Sequence, residues 1–73
     1  MNTSTAQRPY GRTELALRYF PRLSAQAAWR RLRSWIERCA PLTAELRQMG
    51  YDGRRRWFTP AEAGRIMYYL GDP

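Results

Sequence analysis

Pro21 constrains this chain more than any other residue. It interrupts a helical pattern that starts near Thr13, because a proline disfavours helical geometry in the residue before it. Thr13 has the chemistry of an N-cap, and Glu14 stands where a negative charge favours the helix dipole. Leu15, Ala16, Tyr19 and Phe20 supply i, i+4 apolar pairs on this first helix. The turn Pro21-Arg22-Leu23-Ser24 follows, with Leu23 as the apolar residue to be tucked between helices. Ser24 is an N-cap for a second helix running to Cys39. At 100° per residue that helix sorts into two halves. Ala25, Ala28, Trp29, Leu32, Trp35, Ile36 and Cys39 fall on one; Gln26, Ala27, Arg30, Arg31, Arg33, Ser34, Glu37 and Arg38 fall on the other. Two helices joined by so short a turn read as a helix-turn-helix unit. Trp29 and Trp35 lie at opposite edges of the apolar half, which predicts partial exposure for each.

The remaining chain reads as support for this unit. Residues 1–9 are polar and aperiodic and are expected to form a flexible tail, leaving residues 10–73 as one domain. A third helix is predicted from Ala40 or Pro41, with Leu42, Leu46 and Met49 inward and Gly50 just past its end. Asp52-Gly53 is a hairpin-turn dipeptide between aromatic residues, so residues 51–58 are read as a short two-stranded wing. Thr59-Pro60-Ala61-Glu62 is a full helix-start signal: cap, first-turn proline and capping-box glutamate. Ala63, Ile66, Met67 and Leu70 then make a buried stripe, Phe58 and Ala63 are placed as a hydrophobic staple, and Gly71 ends the helix. The expected fold is mostly α, a four-helix winged helix-turn-helix-like domain with a short two-stranded β wing.

With 73 residues the chain holds one small core and no deep catalytic pocket. Ten aromatic residues partly compensate for the small size, since each buries a large area. There is no histidine, and the single Cys39 can form neither an internal disulfide nor a metal site. No base–nucleophile pair and no Gly-rich phosphate loop is present, so no enzyme, cofactor or metal is expected. The first residues lack the apolar core of a signal peptide, and no apolar run is long enough to span a bilayer. A cytoplasmic location without membrane association is the expectation.

Net charge is +7, and every basic residue is an arginine. A GC-rich coding sequence accounts for arginine over lysine as well as any functional reason does. The charge itself favours polyanionic partners. The polar half of the second helix carries four arginines and one carboxylate, whereas an ordinary solvated face mixes the two signs. If this helix enters a DNA major groove, Gln26, Ala27 and Arg30 lie in the turns that reach base edges, where Gln suits adenine and Arg suits guanine. Arg31, Arg33 and Arg38 flank them and suit phosphates. Arg54, Arg55 and Arg56 form a cationic tip that suits phosphate or minor-groove contact from the wing. Each of these side chains also has the plain reading of a solvated arginine, and the tip that of a solubilising loop.

Certain residues carry a resemblance from Tyr10 onward. They are Tyr10, Glu14-Leu15-Ala16, Tyr19-Phe20-Pro21, Leu23-Ser24, Ala28, Leu32, Trp35-Ile36, Gly50-Tyr51, Thr59-Pro60 and Tyr69-Leu70-Gly71. With them the sequence resembles a family of small single-domain proteins of gut anaerobes known only as a domain of unknown function. More distantly, the order of helix-turn-helix, helix, basic wing and capped helix is similar to winged helix-turn-helix proteins of the excisionase and MerR-like type. That resemblance implies groove reading by Gln26, Ala27, Arg30 and Arg31, and backbone grip by Arg54 to Arg56. The chain lacks the long dimerisation helix of the regulators and has a longer third helix, which favours an excisionase-like or architectural monomer over a ligand-sensing repressor.

The expected function is therefore non-enzymatic binding of double-stranded DNA, architectural or transcriptional. The alternative is a protein-interaction adaptor on the same fold, with Trp29, Trp35, Tyr68 and Tyr69 as contacts. RNA is a third option, but the aromatic sheet motif it calls for is missing. Target sequence, oligomeric state and pathway are left open.

Overall fold

A computed structural model describes residues 8–73 of the chain. The element order is β1 (Tyr10–Gly11), α1 (Arg12–Tyr19), α2 (Ala25–Arg38), α3 (Ala40–Gln48), β2 (Trp57–Phe58) and α4 (Pro60–Leu70). Consecutive helices pack on one another, and β1 and β2 form a two-stranded antiparallel sheet. The domain is mostly helical, as the periodicity predicts. Of the expected tail, residues 1–7 lie outside the described residues. Arg8 ion-pairs with Glu14 and stands over the Tyr10 ring.

Helix α1 starts two residues earlier than Thr13 suggests. Gly11 is the N-cap, and its backbone N–H donates to the Glu14 carboxylate at 3.1 Å. The extended backbone of β1 runs straight into the helix, so Thr13 falls inside the first turn and caps nothing. The helix ends before Pro21, as proline geometry requires. Leu23 is partly buried against the core, and Ser24 accepts from the Ala27 N–H at 3.2 Å as the N-cap of α2.

At the far end of α2, the Thr43 hydroxyl donates to the Ile36 carbonyl at 2.8 Å, satisfying an acceptor that the helix end leaves open. Helix α3 closes through paired bonds, Gly50 N–H to Arg47 O and Tyr51 N–H to Leu46 O. Gly50 has φ of 97°, the left-handed geometry of a Schellman motif.

This cap explains why the wing differs from expectation. Tyr51 is held by the end of α3, so it cannot serve as a hairpin arm. Asp52 accepts from the Arg54 N–H and Gly53 takes φ of 87°, forming a turn without flanking strands. The strand partner comes from the other end of the chain: Tyr10 pairs with Phe58 and Gly11 with Trp57. Tyr10 and Gly11 lie far in sequence from the 51–58 segment that the Asp-Gly dipeptide marks as a local hairpin.

The sheet delivers Phe58 to the centre of the core. Phe58 is fully buried, with ring centroids 5.0 Å from Tyr51 and 6.2 Å from Trp29. Leu15, Ala16, Ala28, Leu32, Ile36, Leu42, Leu46, Ala63, Ile66 and Met67 complete it. Several placements depart from the periodic reading, among them exposed Ala25 at the start of α2. Trp29 is buried rather than at an exposed edge, Met49 is exposed beyond the last turn of α3, and Leu70 is only half-buried at the end of α4. The last two sit at helix ends, where the apolar stripe runs past its neighbour.

Helix α4 begins as its sequence says. Thr59 accepts from the Glu62 N–H at 3.1 Å, and Glu62 accepts from the Thr59 N–H at 2.9 Å. Phe58 and Ala63, flanking this box, are both fully buried. Arg65 binds both carboxylate oxygens of Glu45, and the Tyr69 hydroxyl donates to the same group, tying α4 to α3. The Arg65 bonds and then the Tyr69 bond hold the Glu45 carboxyl below its usual range.

Candidate nucleic-acid interface

The outer face of α2 is built by the register that buries Ala28, Trp29, Leu32 and Ile36. Burying that stripe turns Gln26, Arg30, Arg31, Arg33 and Arg38 to solvent, where all five are exposed. Ala27 is half-buried beside them. The face is not one surface but two grooves, which a helical projection does not reveal.

One groove, of about 480 Å3, is lined by Leu23, Ala27, Arg30, Arg31, Ser34, Trp35 and Arg38. It contains three arginines and no carboxylate. None of the three is ion-paired among the described residues. The other groove, of about 350 Å3, lies between α2, α3 and the Asp52-Gly53 turn. It brings Arg33 and Arg54 together with Arg47, over a floor that includes Trp29, Ile36, Leu46 and Tyr51. Glu37 and Asp52 also line it, so its charge is largely balanced. Arg33 pairs with Glu37 at 3.0 Å, but both side chains are mostly exposed, and such a pair yields readily to a competing anion.

The cationic tip is smaller than its sequence implies. Arg54 and Arg56 are exposed, whereas Arg55 folds inward onto Glu62. Its two terminal nitrogens lie 2.7 and 2.9 Å from the two carboxylate oxygens, and its guanidinium stands over the Trp57 and Tyr51 rings. Burial pushes the Glu62 carboxyl up, but the Arg55 bonds and the Thr59 N–H together outweigh it, so the group sits below its usual range. Arg55 is thus committed to Glu62 in this structure, and Arg54 and Arg56 are the exposed members of the tip. Glu62 is both the capping residue of α4 and the partner of Arg55, and the sequence shows only the first of these roles.

Trp35 and Leu23 also line the unbalanced groove, Trp35 with the partial exposure its edge position predicts and Leu23 as more than the packing residue of the turn. Trp35 is 39% exposed and meets the Phe20 ring edge-on, with centroids 4.8 Å apart and planes at 77°. Arg31 stands over the opposite partner of that pair, with its guanidinium carbon 5.7 Å from the Phe20 centroid. Of the residues expected to form an adaptor surface, Trp29 is buried, Tyr69 is half-buried and bonded to Glu45, and Tyr68 is 70% exposed.

Among the described residues no group of three His, Cys, Asp or Glu side chains is placed to hold a metal, and no helix is long and apolar enough to cross a membrane.

Compared with known proteins, residues 6–73 match a family described as a domain of unknown function (DUF4248). No curated protein and no solved structure matches the chain.

Proposed function

The chain belongs to the DUF4248 family, and we propose that it binds double-stranded DNA without catalysing a reaction. The observation that carries this reading is the α2 groove with Arg30, Arg31 and Arg38 on its walls and no carboxylate among its lining residues. Three like charges on one helix repel one another, and a counter-anion lowers that energy. A polyphosphate backbone supplies such anions at regular spacing and releases its own counterions on binding.

In this reading α2 enters the major groove by its first turns, as in helix-turn-helix proteins of the excisionase type. Gln26 and Arg30 face base edges, while Arg31 and Arg38 meet phosphates on one flank. Arg33 and Arg54, which share the second groove, meet phosphates on the other. Arg56 extends that flank, and Ala27 allows close approach without adding a contact of its own. A role in a mobile element or in transcription, and a cytoplasmic location, fit this activity. The protein-adaptor reading keeps Trp35 and Tyr68 as its exposed contacts, because Trp29 is committed to the core and Tyr69 is half-buried.

Arg30→Ala and Arg54→Ala are expected to fail in different ways. Loss of Arg30 should relax sequence preference and cost about 1–3 kcal/mol of affinity on a selected site. Loss of Arg54 should weaken all duplexes about equally and lower the salt slope by about one unit. Both residues are exposed, so folding stability should move by less than about 0.5 kcal/mol. Fluorescence-anisotropy titrations of the three proteins on random and selected duplexes, at several salt concentrations, measure each effect. No binding by the wild type at low salt removes the DNA reading and leaves the adaptor.

A further inference from the structure

We propose that the groove beside Trp35 is a stacking site for an unpaired nucleotide, so that the chain prefers DNA containing one over a fully paired duplex. The proposal rests on the DNA reading and adds to it a class of target. Its basis is a contrast among the exposed aromatic side chains. Trp35, Trp57 and Tyr68 are each at least 39% exposed. The ring of Trp57 is covered by Arg55, 4.8 Å from its centroid, and that arginine is pinned by Glu62. The ring of Tyr68 is covered by Arg65, 4.4 Å away, which is pinned by Glu45. Trp35 has no guanidinium over it among the described residues, although Arg31 and Arg38 lie one turn away on either side.

Its surroundings suit a base. Phe20 meets the indole edge-on and fixes its orientation, so stacking there orders little that is not already ordered. The groove of about 480 Å3 lies within the size range of small-molecule sites. Leu23 and Ala27 give it apolar wall, and Arg30, Arg31 and Arg38 ring it with positive charge for the flanking phosphates. An aromatic face beside a cationic track is the common device for holding unpaired nucleotides, because every base has a π face. A base inside an intact duplex cannot reach the indole, since leaving the stack costs a few kcal/mol, whereas a bulged base has already left it.

The test is a pair of anisotropy titrations, on a fully paired duplex and on the same duplex with one unpaired thymine. Wild type should bind the bulged duplex about tenfold more tightly. Trp35→Leu should lose the preference and bind both duplexes alike, and Trp35→Phe should keep part of the preference. A second measurement needs no change at the site. In Trp57→Phe protein the exposed indole is that of Trp35, and its emission should be quenched by the bulged duplex and not by the paired one. Equal wild-type affinity for the two duplexes, a preference that survives in Trp35→Leu, or unquenched emission overturns the proposal while leaving duplex binding intact. Failure to bind either DNA overturns the duplex reading as well.

Discussion

Leu32→Ala is expected to lower the melting temperature by about 10–30 °C and to leave a substantial unfolded fraction at physiological temperature. Leu32 is fully buried at the middle of α2, on the stripe that faces the other helices. Truncating a buried leucine removes its transfer free energy and leaves a cavity, together worth about 2–5 kcal/mol. A domain of this length has a total stability on the order of 4–11 kcal/mol, so one such loss is a large share of it. The same change at half-buried Leu70 should cost less, because solvent already reaches that side chain and the helix end can relax. Thermal and urea denaturation followed by circular dichroism measure both. An unchanged midpoint for Leu32→Ala would mean that the faces of α2 are assigned the wrong way round, and the arginine groove would fall with them.

The helices were legible because their signals are local. Ser24 and Thr59 each bond to a backbone N–H three residues on, and Pro21 and Gly50 stop helices by their own backbone preferences. The arginine face of α2 was legible for the same reason, since one helix with 3.6-residue periodicity decides it. The pairing of Tyr10 with Phe58 was not, because it joins residues 48 positions apart and two-residue strands show no alternation to read. An Asp-Gly turn next to aromatic residues offered a nearer partner, and the α3 cap at Tyr51 excluded it. The inward turn of Arg55 was hidden likewise. Three adjacent arginines are equivalent in sequence, and only the position of Glu62 on the folded α4 separates the middle one from its neighbours. The division of the α2 face into two grooves depends on α3 and the 51–54 turn, which a projection of one helix does not contain.

Arg55→Ala is expected to cost about 3 kcal/mol at neutral pH, far more than Arg54→Ala or Arg56→Ala on either side. The Glu62 side chain is 1% exposed, and Arg55 supplies two of its hydrogen bonds. Without Arg55, a buried carboxylate retains the Thr59 N–H as its remaining donor. The loss falls toward the low end for breaking a buried pair because the Arg55 side chain is one quarter exposed. Glu62→Gln in the Arg55→Ala background should restore part of the stability, since the amide is neutral and its oxygen can still accept from Thr59. The pH dependence has a definite sign. In the wild type the Glu62 carboxyl lies below its unfolded value of about 4.3, so its stabilisation is complete above that value and is lost as pH falls through the folded one. In Arg55→Ala the guanidinium is gone and burial is the largest remaining influence, which raises the carboxyl instead. Protonation then relieves a buried unpaired charge, and Glu62 favours folding more as the pH is lowered. Glu14 and Glu45 are common to both proteins and cancel in the difference. The stability gap between wild type and Arg55→Ala should therefore narrow steadily from pH 7 toward pH 4, as read from urea midpoints at each pH. A gap that is constant across that range would show that Arg55 acts by packing on Trp57 and Tyr51 and not through Glu62.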